Sequence, residues 1–182
     1  SLAPRRAQIA AGRPRDHRLQ DAMLLEPLER YSALGARKRS SIPCLLVRDN
    51  GLVTSLSGRS FETAKDQNGF WQSLIRNAVG VTLARQTSAL ADGLHYWKDG
   101  DQRVDFVATV GKRTLAVSCQ GRRSAENAGL KAFLKKFPDA TAIAVAAMAG
   151  DFSFEGFFNA HSEDLLAKAS QSWGSGRLCA VK

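Results

Sequence analysis

On both sides of Gly111-Lys112 the apolar residues fall at every second position, and this alternation constrains the fold more than any other stretch of the chain. Residues two apart in a strand point the same way, so Val104, Phe106, Ala108 and Val110 are expected on one face and Asp105 on the other. By the same rule Leu115, Val117 and Cys119 oppose Ala116, Ser118 and Gln120. A two-residue link between two such runs reads as a hairpin. His95-Tyr96-Trp97 is expected to be a further strand before it.

Helical periodicity brackets these strands. Trp71, Leu74, Ile75, Ala78, Val79 and Leu83 recur at a spacing that lays one apolar stripe along a helix between Trp71 and Arg85. Leu130, Phe133, Leu134 and Phe137 make a second stripe, which Ser124 is expected to cap and Pro138 to end. Ala142 to Ala147 is an unbroken apolar run, as in a strand buried on both faces, and its place after a crossover helix predicts parallel pairing with the strand at Arg113–Gln120. Upstream, Met23 to Tyr31 and Ile42 to Val47 are β-like around a turn at Gly35, which predicts a two-stranded wing or hairpin. The expected class is α/β, a mixed sheet flanked by helices.

Length and charge bound the rest. At 182 residues there is room for one substantial core and a small accessory part. No apolar run approaches the roughly 20 residues that cross a bilayer, and Ser1 to Arg6 lacks the apolar centre of a secretory signal, so a soluble cytoplasmic chain is expected. Cys44, Cys119 and Cys179 are odd in number and widely spaced, which fits buried thiols in a reducing compartment better than disulfides or zinc. His17, His95 and His161 have no ligand spacing, and no metal or other cofactor is expected. A net charge of +9 points to an anionic partner such as nucleic acid, or to a basic solvated surface. The first fifty residues carry ten Lys or Arg against five acids, and the stretch from Pro4 to Arg18 reads as poorly ordered or cut from a longer element.

A helix, three strands, a crossover helix and a buried strand is the order of the PD-(D/E)XK, or restriction-endonuclease-like, fold. Tyr96-Trp97-Lys98 followed by Val104-Asp105-Phe106 resembles the YWR…VDF signature of one prokaryotic family, AAA-type P-loop ATPases whose C-terminal domain has a nuclease-like fold and unknown function. The resemblance runs along nearly the whole chain. It includes Arg37 to Pro43 as a basic turn before a strand, Leu52 to Gly58 as a small helix, Phe61 to Lys65, Trp71 to Leu83, and Gly129 to Phe133. It implies a nuclease-like α/β domain over residues 58–182, preceded by a basic, winged-helix-like remnant and linker over residues 1–57. It also implies an ATPase domain elsewhere in the protein, for this chain has no G-x-x-x-x-G-K-[ST].

The departures from the family bear on activity. Where the family has F-E-N-A-V this chain reads Ile75-Arg76-Asn77-Ala78-Val79, and where the family has I-E-V-K it reads Val117-Ser118-Cys119-Gln120. Arg76, Ser118 and Gln120 therefore stand at the positions of two acids and a lysine, and only Asp105 remains. One carboxylate beside an arginine does not supply the oxygen ligands a divalent cation needs, so no catalytic residue is assigned and the chain is expected not to be an enzyme. Arg76 and Asp105 are expected to pair across the degenerate cleft. Arg37, Lys38, Arg39, Arg122 and Arg123 are the candidate nucleic-acid contacts, with a solvated charge run as the plainer reading. Trp71, Trp97 and the stretch from Phe152 to Phe158 offer aromatic surfaces that either stack on bases or fill the core. The expected role is an inactive nuclease-fold accessory domain that binds nucleic acid or a partner protein, and the alternative is a pure protein-interaction or assembly module.

Overall fold

A computed structural model describes residues 24–32, 43–87, 91–110, 113–120, 127–146, 152–160 and 164. Strands β1 (Leu25–Arg30) and β2 (Cys44–Val47) pair antiparallel with Leu25 opposite Val47 and Leu28 opposite Cys44. Asp49 caps helix α1 (Asn50–Ser57) by accepting from the Gly51 N–H at 2.7 Å, and Gly58 ends it at φ 65°, a left-handed conformation that favours glycine. Ser60 caps the short α2 (Phe61–Asp66), and the long α3 (Asn68–Thr87) follows. Strands β3 (Ala91–Asp99), β4 (Gln102–Val110) and β5 (Arg113–Gln120) form an antiparallel meander. Helix α4 (Ala128–Lys136) then crosses over to β6 (Thr141–Ala146), and β7 (Phe152–Ser153) with α5 (Phe154–Asn159) completes the described chain.

The seven strands lie in one mixed sheet of order β2-β1-β3-β4-β5-β6-β7. β6 runs parallel to β5 in full register from Leu115 opposite Thr141 to Gln120 opposite Ala146, the pairing that a crossover through α4 makes possible. The β1–β2 hairpin is continuous with this sheet. Glu29 and Arg30 pair in parallel with His95 and Tyr96, and Leu28 and Leu46 enter the same core as Val79 and Phe106.

Two apolar layers cover the two faces. On one, α3 presents Val79 and Leu83 to Phe106, Leu115, Val117 and Ile143, all buried. On the other, α4 presents Leu130 and Phe133 to Trp97, Val107, Ala116 and Ala142. β6 contributes Ile143 and Val145 to the first layer and Ala142 to the second, which explains its unbroken apolar sequence. Two glycines allow the helices to approach. A Cβ on Gly80 would lie 2.6 Å from the Phe106 ring, and one on Gly129 would lie 1.9 Å from the carbonyl oxygen of Arg103.

Two local expectations are corrected. Helix α4 is capped by Asn127, whose side chain accepts from the Leu130 N–H at 3.0 Å; Ser124 lies outside the described residues. The alternation along β4 also breaks. His95 faces Val107 and Trp97 faces Val104, so two steps along β3 match three along β4, and the extra residue makes a β-bulge at Asp105-Phe106. Val104 accordingly packs on the α4 side with Val107, while Phe106 and Ala108 pack on the α3 side. Asp105 points to the α3 side too, on the face shared by Phe106 rather than opposite it.

Candidate functional site

The bulge places a carboxylate under the middle of α3. One oxygen of Asp105 lies 2.8 Å from Nε of Arg76 on α3 and 3.6 Å from Nε of Arg103, two residues earlier on β4. The other accepts a hydrogen bond from the backbone N–H of Cys119 on β5 at 2.9 Å, and the Ser118 hydroxyl stands 3.4 Å away, too far for a strong bond. The last paired residues of β4 and β5 are Phe106 and Val117, so beyond the bulge the carboxylate takes the place of a ladder acceptor. The Arg76 contact is chiefly electrostatic, since its buried Nε–H is not aligned for a hydrogen bond despite the short separation.

Burial differs sharply within this group. The Asp105 side chain is 8% exposed, whereas those of Arg76 and Arg103 are 38% and 45% exposed. A buried carboxylate thus carries two partly exposed arginines, and the local charge balance is cationic. Its oxygens are held by protein donors, and among the described residues no three His, Cys, Asp or Glu side chains lie close enough to hold a metal ion. Cys119, beside this group, is not a ready nucleophile. Burial, and then the Asp105 charge, push the Cys119 thiol well above its ordinary range, with Arg76 offsetting only part, so the sulfur stays protonated.

The remaining sequence candidates fall in different places. The expected Arg76–Asp105 pair is present, with Ser118 beside it. Gln120 ends β5 opposite Ala146, but its side chain lies outside the described residues, as do Arg37, Lys38, Arg39, Arg122, Arg123 and Cys179. Trp97 is a core residue packed edge-on to Phe133 at 5.3 Å, and Phe157 is fully buried, so neither offers a stacking surface. His95 sits on β3 with its ring 6.0 Å from Tyr31. Asp99, the last residue of β3, pairs with Lys136 at 2.7 Å.

Trp71 is different, and it opens onto a feature that sequence periodicity did not give. A cavity of about 520 Å³ lies beside the N-terminal half of α3, with α1, α2 and α5 contributing its other walls. Asn68, Trp71, Gln72 and Ile75 line it at i, i+3, i+4 and i+7, while Phe61, Phe154 and Phe158 close the sides. Phe61 meets Trp71 edge-on at 5.6 Å and 86°, and is itself 61% exposed. The sequence signal was the aromatic Phe61 at the start of a six-residue helix, where no core stripe calls for it. Compared with known protein families, curated proteins and solved structures, the chain has no match in any of the three.

Proposed function

We propose that this chain is a non-catalytic, nuclease-like accessory domain that binds the phosphate backbone of nucleic acid, working in the cytoplasm beside an ATPase domain of the same protein. The observation that carries the reading is the charged cluster under α3, where two partly exposed arginines flank one buried carboxylate. A metal-dependent nuclease needs negative charge there to gather cations. Here the local balance favours an anion, and phosphate oxygens complement the arginine fork geometry. The chain's net charge of +9 acts in the same direction at longer range.

Fluorescence-anisotropy titrations of short DNA at several salt concentrations test this. Phosphate contacts release counterions, so affinity should fall steeply with salt and vary little with sequence. Replacing Arg37, Lys38 and Arg39 with Ala, and separately Arg122 and Arg123, should lower the slope of log K against log salt by about one for each phosphate left without its cation. Absence of binding at low salt with protein at about tens of micromolar, well inside the range of ordinary non-specific affinity, would replace this reading with a protein-assembly module.

A further inference from the structure

We infer that the cavity beside Trp71 takes one nucleotide, its base stacked on the indole and its phosphate beside Lys65; this deepens the nucleic-acid reading above and rests on it. The volume of about 520 Å³ falls within the range of small-molecule sites, roughly 300–1,000 Å³. Among the described residues Lys65 is the single charged member of the lining, so the occupant carries negative charge or none. Trp71 with Phe61 set perpendicular to it forms a corner in which a flat ring stacks on one wall and meets the other edge-on.

The polar groups narrow the choice further. Asn50 is already committed, donating to the Leu74 carbonyl at 2.9 Å and accepting from Asn77 at 2.7 Å, so it serves as wall. Asn68 and Gln72 lie one helical turn apart on the same face of α3 and both line the cavity, and a carboxamide carries both donors and an acceptor. A hydrocarbon chain or a simple aromatic acid would use neither amide. The edge of a nucleobase presents paired donors and acceptors, and its π-face suits Trp71 whichever base it is. The ring, the anion and the two amides together fit an unpaired nucleotide, free in solution or within a single strand.

Calorimetric titration of the whole chain with three probes separates these sources: thymidine monophosphate, a short oligothymidylate, and an abasic oligonucleotide of equal length. The oligothymidylate should bind about tenfold or more tightly than the abasic strand, the scale of one base–aromatic stack. Trp71→Leu should close that gap while leaving the abasic strand unchanged, and circular dichroism checks that the variant stays folded. Lys65→Glu, at an exposed position, should weaken thymidine monophosphate about tenfold without changing the affinity for thymidine, which lacks the phosphate. Equal binding of the two strands would overturn the pocket while leaving backbone binding intact. Binding of the monophosphate alone would keep the pocket, assign it to a free nucleotide and remove the strand reading. No binding of any probe, or a base-dependent gap that survives Trp71→Leu, would overturn the inference.

Discussion

The two faces of the sheet are built to opposite ends. On the α4 face, Trp97, Val107, Leu130 and Phe133 interlock without a polar partner among them, and Gly129 lets the helix backbone rest on the carbonyl of Arg103. The α3 face has an apolar layer of similar make-up but also holds a buried carboxylate, two guanidinium groups and an open aromatic cavity. The comparison teaches that one face fixes the backbone and the other displays chemistry. Gly129 presses on β4 at Arg103, two residues before Asp105, so the tight face holds the strand at the point where the bulge turns Asp105 towards α3.

If the α4 face is the fixed one, its disruption should be the most costly change in the molecule. Gly129→Ala sets a Cβ against backbone that has no rotamer to move, and should destabilise the fold by about 4 kcal/mol in urea denaturation, at the upper end of single substitutions. A loss below about 1 kcal/mol, the ordinary cost of a tolerated substitution, would mean that α4 slides freely and the comparison fails.

The polar face should respond less, and in a coupled way. Arg76→Ala leaves the Asp105 carboxylate buried without its nearest cation and should cost about 1–3 kcal/mol. Combining it with Asp105→Asn should restore part of the loss. Strict additivity in this double-mutant cycle would show that the two residues do not interact.

The smallest effect concerns pH. Burial and Asp105 raise the Cys119 thiol in the folded chain, so the unfolded chain loses this proton first as pH rises. The stabilisation is therefore complete below the ordinary thiol value and is lost as pH climbs from there through the folded value. Its slope is at most about 1.4 kcal/mol per pH unit. Cys119→Ala should flatten the alkaline limb of a stability–pH curve, and an unchanged limb would show that the thiol is not shielded.

Much of this architecture was legible because periodicity reports the faces of long elements. The α3 stripe from Trp71 to Leu83, the crossover helix and the doubly buried β6 follow from spacing alone. The bulge was not legible. A strict alternation through Val104, Phe106 and Ala108 fits the sequence equally well, and only the pairing with β3 reveals the extra residue. The Arg76–Asp105 pair was anticipated by matching motif positions, even though the strand face given to Asp105 was wrong, since the contact depends on which elements lie together. The cavity escaped because its walls come from α1, α2, α3 and α5, and no local pattern records that assembly.

The central proposal is that the charged cluster under α3 serves binding without cutting, and direct incubation tests its second half best. Purified protein with plasmid and with single-stranded DNA, in magnesium and then in manganese, should leave both substrates intact over hours while Asp105→Ala behaves the same. Cleavage by the intact protein that disappears in Asp105→Ala would contradict the account, because the carboxylate would then be gathering a metal ion despite its pairing with Arg76.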